Sequence, residues 1–460
     1  MEALSLEHNN IANRKLLFLL VSLQLLIISS SLLFHYISGF ILLAGLSFLF
    51  LNFSDVRITL WFLIAFSILV AYARGMVTAV MMVVLGSACL FVCLSVFLKF
   101  CLGEFKIKKT KLNLPVAVFL IMSSLQALRG IFSSYPTKWL LIEILAYLGF
   151  GLVFLVINLY DRKEIIKKSF QLLILVAYYQ AIIGLWNYFQ VEHRIGGYLF
   201  GAFPSLVALV LFNLSFYSKE KSKKLTYLLM SLPLVMHLLF SFTRGLWFGF
   251  LAGLLFSYSI YLAGLEYSVW TKVRRLLKGM LAFILIIFVL TVGIQGFLLH
   301  ENLLGQFGGR FLSSFSTKLS SSTFSNVTRL LEYGIALEKI KSKPIFGYGV
   351  GYKLSFTDPI LRERIRSGIV HQFYLMIILK MGLIGLLVFL WIFYVFFKEG
   401  LKESKKIENG YYKGLCYGFM ANSIELLVIS FTNHPFATVD NNFYLAFTMA
   451  GVMVIISRRN

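Results

Sequence analysis

Charge is scarce in this 460-residue chain. Asp, Glu, Lys and Arg together make up 14% of it, where a soluble domain carries about 25%. A water-facing globular surface is excluded over most of its length. Acids are the scarcer sign, 20 against 43 Lys and Arg. Cysteine is nearly absent: Cys89, Cys93 and Cys101 lie in or beside one apolar run and Cys416 is far away. No disulfide framework or C-x-x-C metal pattern can be drawn from them, and Cys89 and Cys93 read as small apolar fillers. Strand-like alternation does not recur, which excludes a membrane barrel. No small-residue cleavage site follows the first apolar run, so MEALSLEHNNIANRK leads into a retained first span rather than a signal peptide.

Apolar residues fill the space that charge leaves, at 59% of the chain with a mean hydropathy of +0.83. Runs long enough to cross a bilayer as helices recur throughout. The expected fold is all-α, a polytopic transmembrane helical bundle of about 12–14 spans. The expected spans lie near 16–35, 38–53, 57–73, 76–100, 113–130, 138–159, 168–188, 197–217, 225–242, 245–264, 278–298, 368–397, 413–432 and 440–457. Gly382 is the place where the long run at 368–397 would break. The chain divides into N-terminal helices over 1–110, core helices over 111–298, a lid loop over 299–367 and C-terminal helices over 368–460.

The net charge of +23 does not point to nucleic acid, because the basic residues sit in short loops that abut the spans. Clusters at 105–111, 161–168, 218–224, 271–278, 398–406 and the terminal SRRN mark the cytoplasmic side by the positive-inside bias. Both termini are then cytoplasmic. Arg194, Arg244, Arg329 and His371 fall on the outer side, together with the one long loop.

Cations at the outer boundary require a reason. Snorkelling to headgroups is the ordinary one. It accounts less well for several arginines beside glycines, as in HRIGG and TRGLW. A guanidinium grips phosphate oxygens with paired donors, so such a set suits a lipid phosphate or diphosphate. The long loop adds Arg310, Lys341, Lys343, Lys353, Arg362, Arg364 and Arg366, a basic lid that attracts anions. Within it, 326–341 reads as an amphipathic helix lying along the membrane surface. Val327, Leu330, Leu331, Gly334, Ile335 and Leu337 form its apolar side, with Arg329, Glu332 and Lys339 polar. KPIFGYGVGY, with Gly347, Gly349 and Gly351, lacks the strand-turn-helix setting of a dinucleotide site and reads as a mobile hinge.

His371 opens the next span with Tyr374 one turn on, so the two share a face. A histidine there can take a proton near neutral pH, or it can simply hydrogen-bond at the interface. Lys380 lies about 13 Å deeper along the helix, either a counter-ion within the bundle or the mark of a broken helix.

These residues resemble the bacterial O-antigen ligase and polymerase family. The resemblance rests on Ser241-Phe242-Thr243-Arg244-Gly245 with Trp247, and on the Arg329-led helix running to Pro344, Gly347, Gly349 and Gly351. It rests further on His371-Gln372-Phe373-Tyr374-Leu375 with Gly382 to Gly385, and more weakly on Arg194 to Gly197. Gln372 stands where the family has Asn, keeping the amide, and Lys380 where an acidic or neutral residue is common. The resemblance implies a metal-independent, inverting glycosyltransferase without cofactor. Its donor is a glycan on undecaprenyl diphosphate, and its acceptor a glycan or lipid A-core hydroxyl. The enzyme would sit in the bacterial inner membrane among membrane lipids, its site facing outward. By that resemblance His371 is the base, Arg244 and Arg329 hold the diphosphate with Arg194 in support, and Tyr374, Gly347 and Gly349 support the site. The motifs do not separate a ligase from a polymerase. A lipid-linked glycan flippase or transporter would show inverted repeats or paired broken helices, which the sequence lacks. A non-catalytic assembly scaffold would not need His371.

Overall fold

The computed structural model describes Leu60, Ile64 and residues 108–458, except 161, 191–200, 242, 267, 272, 275–276, 279–320 and 358–363. The chain forms two compact units, residues 1–66 with 76–106, and 67–75 with 107–460. The second is described here. Arg194, Arg310, Arg362 and the expected spans near 16–35, 38–53, 76–100 and 278–298 lie outside the described residues, as does 57–73 apart from Leu60 and Ile64, both buried in helix.

The second unit is a helical membrane bundle. Its helices are α1 (Asn113–Phe132), α2 (Thr137–Leu148), α3 (Leu152–Leu159), α4 (Lys163–Gln190), α5 (Phe203–Tyr217) and α6 (Lys221–Phe240). There follow α7 (Arg244–Ala263), α8 (Ser321–Ser342), α9 (Phe373–Ser404), α10 (Gly410–Ile429) and α11 (Val439–Ser457). A 3-10 turn, Gly149–Gly151, joins α2 to α3 so that Thr137–Leu159 crosses as one span. Seven of the described helical segments are long and apolar enough to cross a membrane. The shorter α5 is apolar and buried on nearly every side, as a helix at the centre of a bundle must be.

The basic segments around Lys111, Lys163 to Lys167 and Glu399 to Tyr412 gather at one end. Lys111 pairs with Glu399 at 2.8 Å, the Tyr412 hydroxyl donates to Glu164 at 3.4 Å, and the Lys163 and Lys167 ammoniums sit over the Tyr412 and Tyr411 rings. Tyr217 stacks on Tyr417, with centroids 5.2 Å apart. These ends of α1, α4, α5, α9 and α10 therefore lie together at one end of this unit, and His371, just before α9, lies toward the other.

Close packing of α7 on α10 positions that other end. Gly249 and Gly253 occur four residues apart on α7. A Cβ at Gly249 would lie 2.8 Å from the Glu425 carbonyl oxygen, and one at Gly253 3.0 Å from that of Ala421. Small residues at this spacing let membrane helices meet backbone to backbone. Gly245 extends the row to Thr432 and Asn433, at the turn just beyond α10.

Among the described residues one small sheet interrupts the helices, β1 (Leu354–Thr357) paired antiparallel with β2 (Arg364–Ser367), Ser355 opposite Arg366. Nothing in the sequence pattern marks it. Four residues alternating buried Leu354 and Phe356 with exposed Ser355 are too short a period-2 signal to stand out.

Candidate functional site

The turn between α6 and α7 is built by the residues around Arg244. The Ser241 hydroxyl donates to the Leu238 carbonyl at 2.7 Å and accepts the Thr243 backbone N–H at 3.3 Å. Trp247 Nε1 donates to the same Leu238 carbonyl at 3.0 Å. Ser241 and Trp247 thus close the turn that delivers Arg244 to the first position of α7, while Gly245 seats it on Thr432 and Asn433.

Helix α8 sits on this face with its polar side turned inward. Glu332 and Ala336 are buried, whereas Val327, Leu330 and Leu337 are exposed. Of the residues expected on the apolar side, Val327, Leu330, Gly334 and Leu337 are left uncovered by the protein and Leu331 and Ile335 are half-buried, while of the polar set Glu332 is buried and Lys339 exposed. Arg329 Nη1 donates to the Thr432 carbonyl at 3.5 Å, and Arg329 is close enough to Arg244 for the two like charges to be felt. One turn on, Glu332 takes hold of His371. Its Oε2 accepts the His371 backbone N–H at 3.0 Å and lies 2.9 Å from ring Nδ1. The next residue, Tyr333, donates its hydroxyl to the His371 carbonyl at 3.1 Å. Burial raises the Tyr333 phenol above the ordinary tyrosine value, so it remains a donor. The Glu332 side chain is 4% exposed and that of His371 is 43% exposed.

The turn after α10 completes the arrangement. The Phe373 backbone N–H donates to the Ser430 and Asn433 carbonyls, and the His371 and His434 rings meet edge to face at 5.7 Å. Gln372 caps α9, its side-chain oxygen accepting the Leu375 N–H at 2.6 Å. An amide beside the histidine is thereby explained as a helix cap. Tyr374 turns its hydroxyl to the Leu427 carbonyl at 2.7 Å and packs its ring on Phe431.

The glycine segment is fastened rather than hinged. Helix α9 breaks at Gly382, with φ 75° and ψ −178°, freeing backbone groups within the bundle. The segment replaces the missing turn. Tyr348 and Gly349 donate N–H to the Leu379 and Lys380 carbonyls at 2.8 and 2.9 Å. Leu383 and Ile384 donate in return to Pro344 and Ile345 at 2.8 and 3.5 Å. Val350 bonds to Gln126 at 3.1 Å. Gly347, Gly349 and Gly351 all have positive φ, which lets one short segment reach each partner. The mobile hinge expected there is therefore corrected: in a medium without water every such group must find a protein partner. Lys380 meets both expectations made of it. It precedes the break by two residues, and it pairs with buried Glu143.

The structure thus brings Arg244, Arg329 and His371 to one end of the bundle. Gly347 and Gly349 lie at the break in α9, and Arg194 is outside the described residues. Sequence reasoning missed Glu332 as a partner of His371, and missed Thr432 and His434. Glu332 had one signal, a carboxylate one turn after Arg329 on the same polar side. Thr432 and His434 lay in a loop with none.

Fold and site together define a polytopic helical membrane protein with a polar, arginine-bearing face at one end of its bundle. Residues 227–390 match the family model described as O-antigen ligase. Over those residues the chain is similar to the O-antigen ligase family, a likeness that covers about a third of its length. The matched segment contains Arg244, Arg329, Gly347, Gly349, His371 and Tyr374. No curated protein matches the chain.

Proposed function

We propose that this protein transfers a glycan from undecaprenyl diphosphate to an acceptor hydroxyl at the outer face of the bacterial inner membrane, as a ligase does. One observation carries the reading: a single turn of α8 touches Thr432 through Arg329 and His371 through Glu332 and Tyr333. A cation near Arg244 and the partners of the histidine on one helix turn support the reading of a shared site. In the proposed step the His371 ring takes the acceptor's proton and the acceptor oxygen bonds to the anomeric carbon. The bond to the diphosphate oxygen breaks, and its electron pair leaves with the diphosphate. A single displacement of this kind inverts the anomeric centre. Arg244 and Arg329, with Arg194, hold the diphosphate and stabilise its growing charge, a task fixed cations perform without a metal ion. Helix α8 acts as a basic lid over the site, with Gly347 and Gly349, fastened at the break in α9, and Tyr374 on α9 in support.

The test uses purified protein in nanodiscs with donor binding and product formation measured separately. His371→Gln keeps a hydrogen-bonding group but cannot act as the base, so turnover is lost while donor binding stays. Retention of most of the wild-type rate removes the base assignment. A polymerase of the same family extends one lipid-linked repeat with another by the same chemistry. Mass spectrometry of a deletion strain separates the two: long chains accumulate on the carrier if a ligase is lost, single repeats if a polymerase is lost. Export of the glycan without a new glycosidic bond would instead identify a transporter.

A further inference from the structure

We propose that Glu332 is the positioning residue of the transfer step, and that Nε2 of His371 is the atom that takes the acceptor's proton. This rests on the reading of His371 as the base. Two observations carry it further. One carboxylate oxygen, Glu332 Oε2, receives both the backbone N–H and the ring Nδ1 of His371, at 3.0 and 2.9 Å. An oxygen already accepting the backbone N–H calls for a donor at Nδ1 as well. The ring proton therefore resides on Nδ1, and Nε2 carries the lone pair. Burial decides which member of the pair meets substrate. Glu332 is 4% exposed and His371 43% exposed, so the carboxylate acts through the ring and the ring acts on the acceptor.

The remaining contacts fix the ring without competing for Nδ1. Tyr333 holds the His371 carbonyl, and the His434 ring lies edge to face with the imidazole. When Nε2 takes the proton the ring becomes an imidazolium, and the Glu332 charge stabilises it. Glu332 thus supplies orientation before the step and compensating charge during it.

Two measurements test this. The first is ¹⁵N spectroscopy of histidine-labelled protein in nanodiscs, with the His371 signal among the seven histidines identified by its loss in His371→Gln. The expected result at the pH of the assay is a neutral ring protonated at Nδ1. A ring protonated at Nε2, or an imidazolium, overturns the proposal. The second is kinetics of Glu332→Gln and Glu332→Asp. Glu332→Gln lowers kcat by about 10- to 100-fold, part of what a general base contributes, with KM and donor binding unchanged. Glu332→Asp keeps the charge and recovers part of the loss. If Glu332→Gln keeps the wild-type kcat while His371→Gln is inactive, Glu332 has no such role and the base reading stands. If His371→Gln is itself active, the base reading falls and takes this one with it. A Glu332→Gln variant that loses donor binding along with kcat makes Glu332 a support of the diphosphate site and overturns the proposal.

Discussion

Lys380 and Glu143 form an ion pair with side chains only 1% and 4% exposed. The second carboxylate oxygen accepts the Gly351 N–H at 2.9 Å, and the Lys380 ammonium also bonds to the Gly368 carbonyl. Four segments are joined at this pair: α2, the glycine segment, the stretch after β2 and the broken helix α9. Removing one partner strands a buried charge, at a cost of about 3–5 kcal/mol. Lys380→Met is expected to lower the thermal midpoint in detergent sharply. The double replacement Lys380→Met with Glu143→Leu removes both charges and should restore part of the loss.

Two glycines with opposite surroundings give a matched pair. Gly382 has a φ and ψ that only glycine readily occupies, and a Cβ there would collide with the Ile345 carbonyl. Gly382→Ala is expected to cost at least about 1–3 kcal/mol and to reduce the yield of folded protein. Gly334, on the exposed side of α8, has nothing within 4 Å of the same position. Gly334→Ala is expected to stabilise the helix by about 0.5–1 kcal/mol. Melting curves of the two variants, measured side by side, check both.

Arg244→Lys keeps the charge and loses the paired donors. Activity is expected to fall severely while insertion and thermal stability stay normal. Arg329→Ala should behave alike, and Arg366→Ala, exposed on β2, should lose less. Transfer assays on the three proteins decide the matter, and full activity in Arg244→Lys would reduce Arg244 to a general surface charge.

Topology is testable without activity. Reporter fusions after Lys224 and Lys406 should report from the cytoplasm, and one near Pro435 from outside, by the positive-inside bias. The reverse pattern would place the arginine face in the cytoplasm and end the proposed mechanism.

Much of the frame was legible because membrane spans announce themselves by length and apolarity. The helices 113–132, 221–240, 244–263 and 439–457 lie close to where the hydropathy puts them. The break at Gly382 was readable from a run too long for one span. The fastening of the glycine segment was not, since its partners, Gln126, Glu143 and Leu379, are remote in sequence or silent in pattern. The inward side of α8 was illegible for a different reason. In a soluble protein the apolar side of a helix meets the core. Beside a membrane it can meet lipid, and then the polar side packs on the protein. A surface helix sets its apolar side on lipid, but periodicity does not say whether the polar side meets water or protein, so Glu332 went unpaired with His371.

The spacing of Arg329 and Glu332 on one helix turn has a mechanical consequence. Both contacts arise from one helix turn, so a rigid-body displacement of α8 disturbs them together. On the function proposed above, grip and reactivity are thus interlocked. On that reading a misplaced lid leaves the histidine undirected, and water meets no prepared base with which to squander the donor.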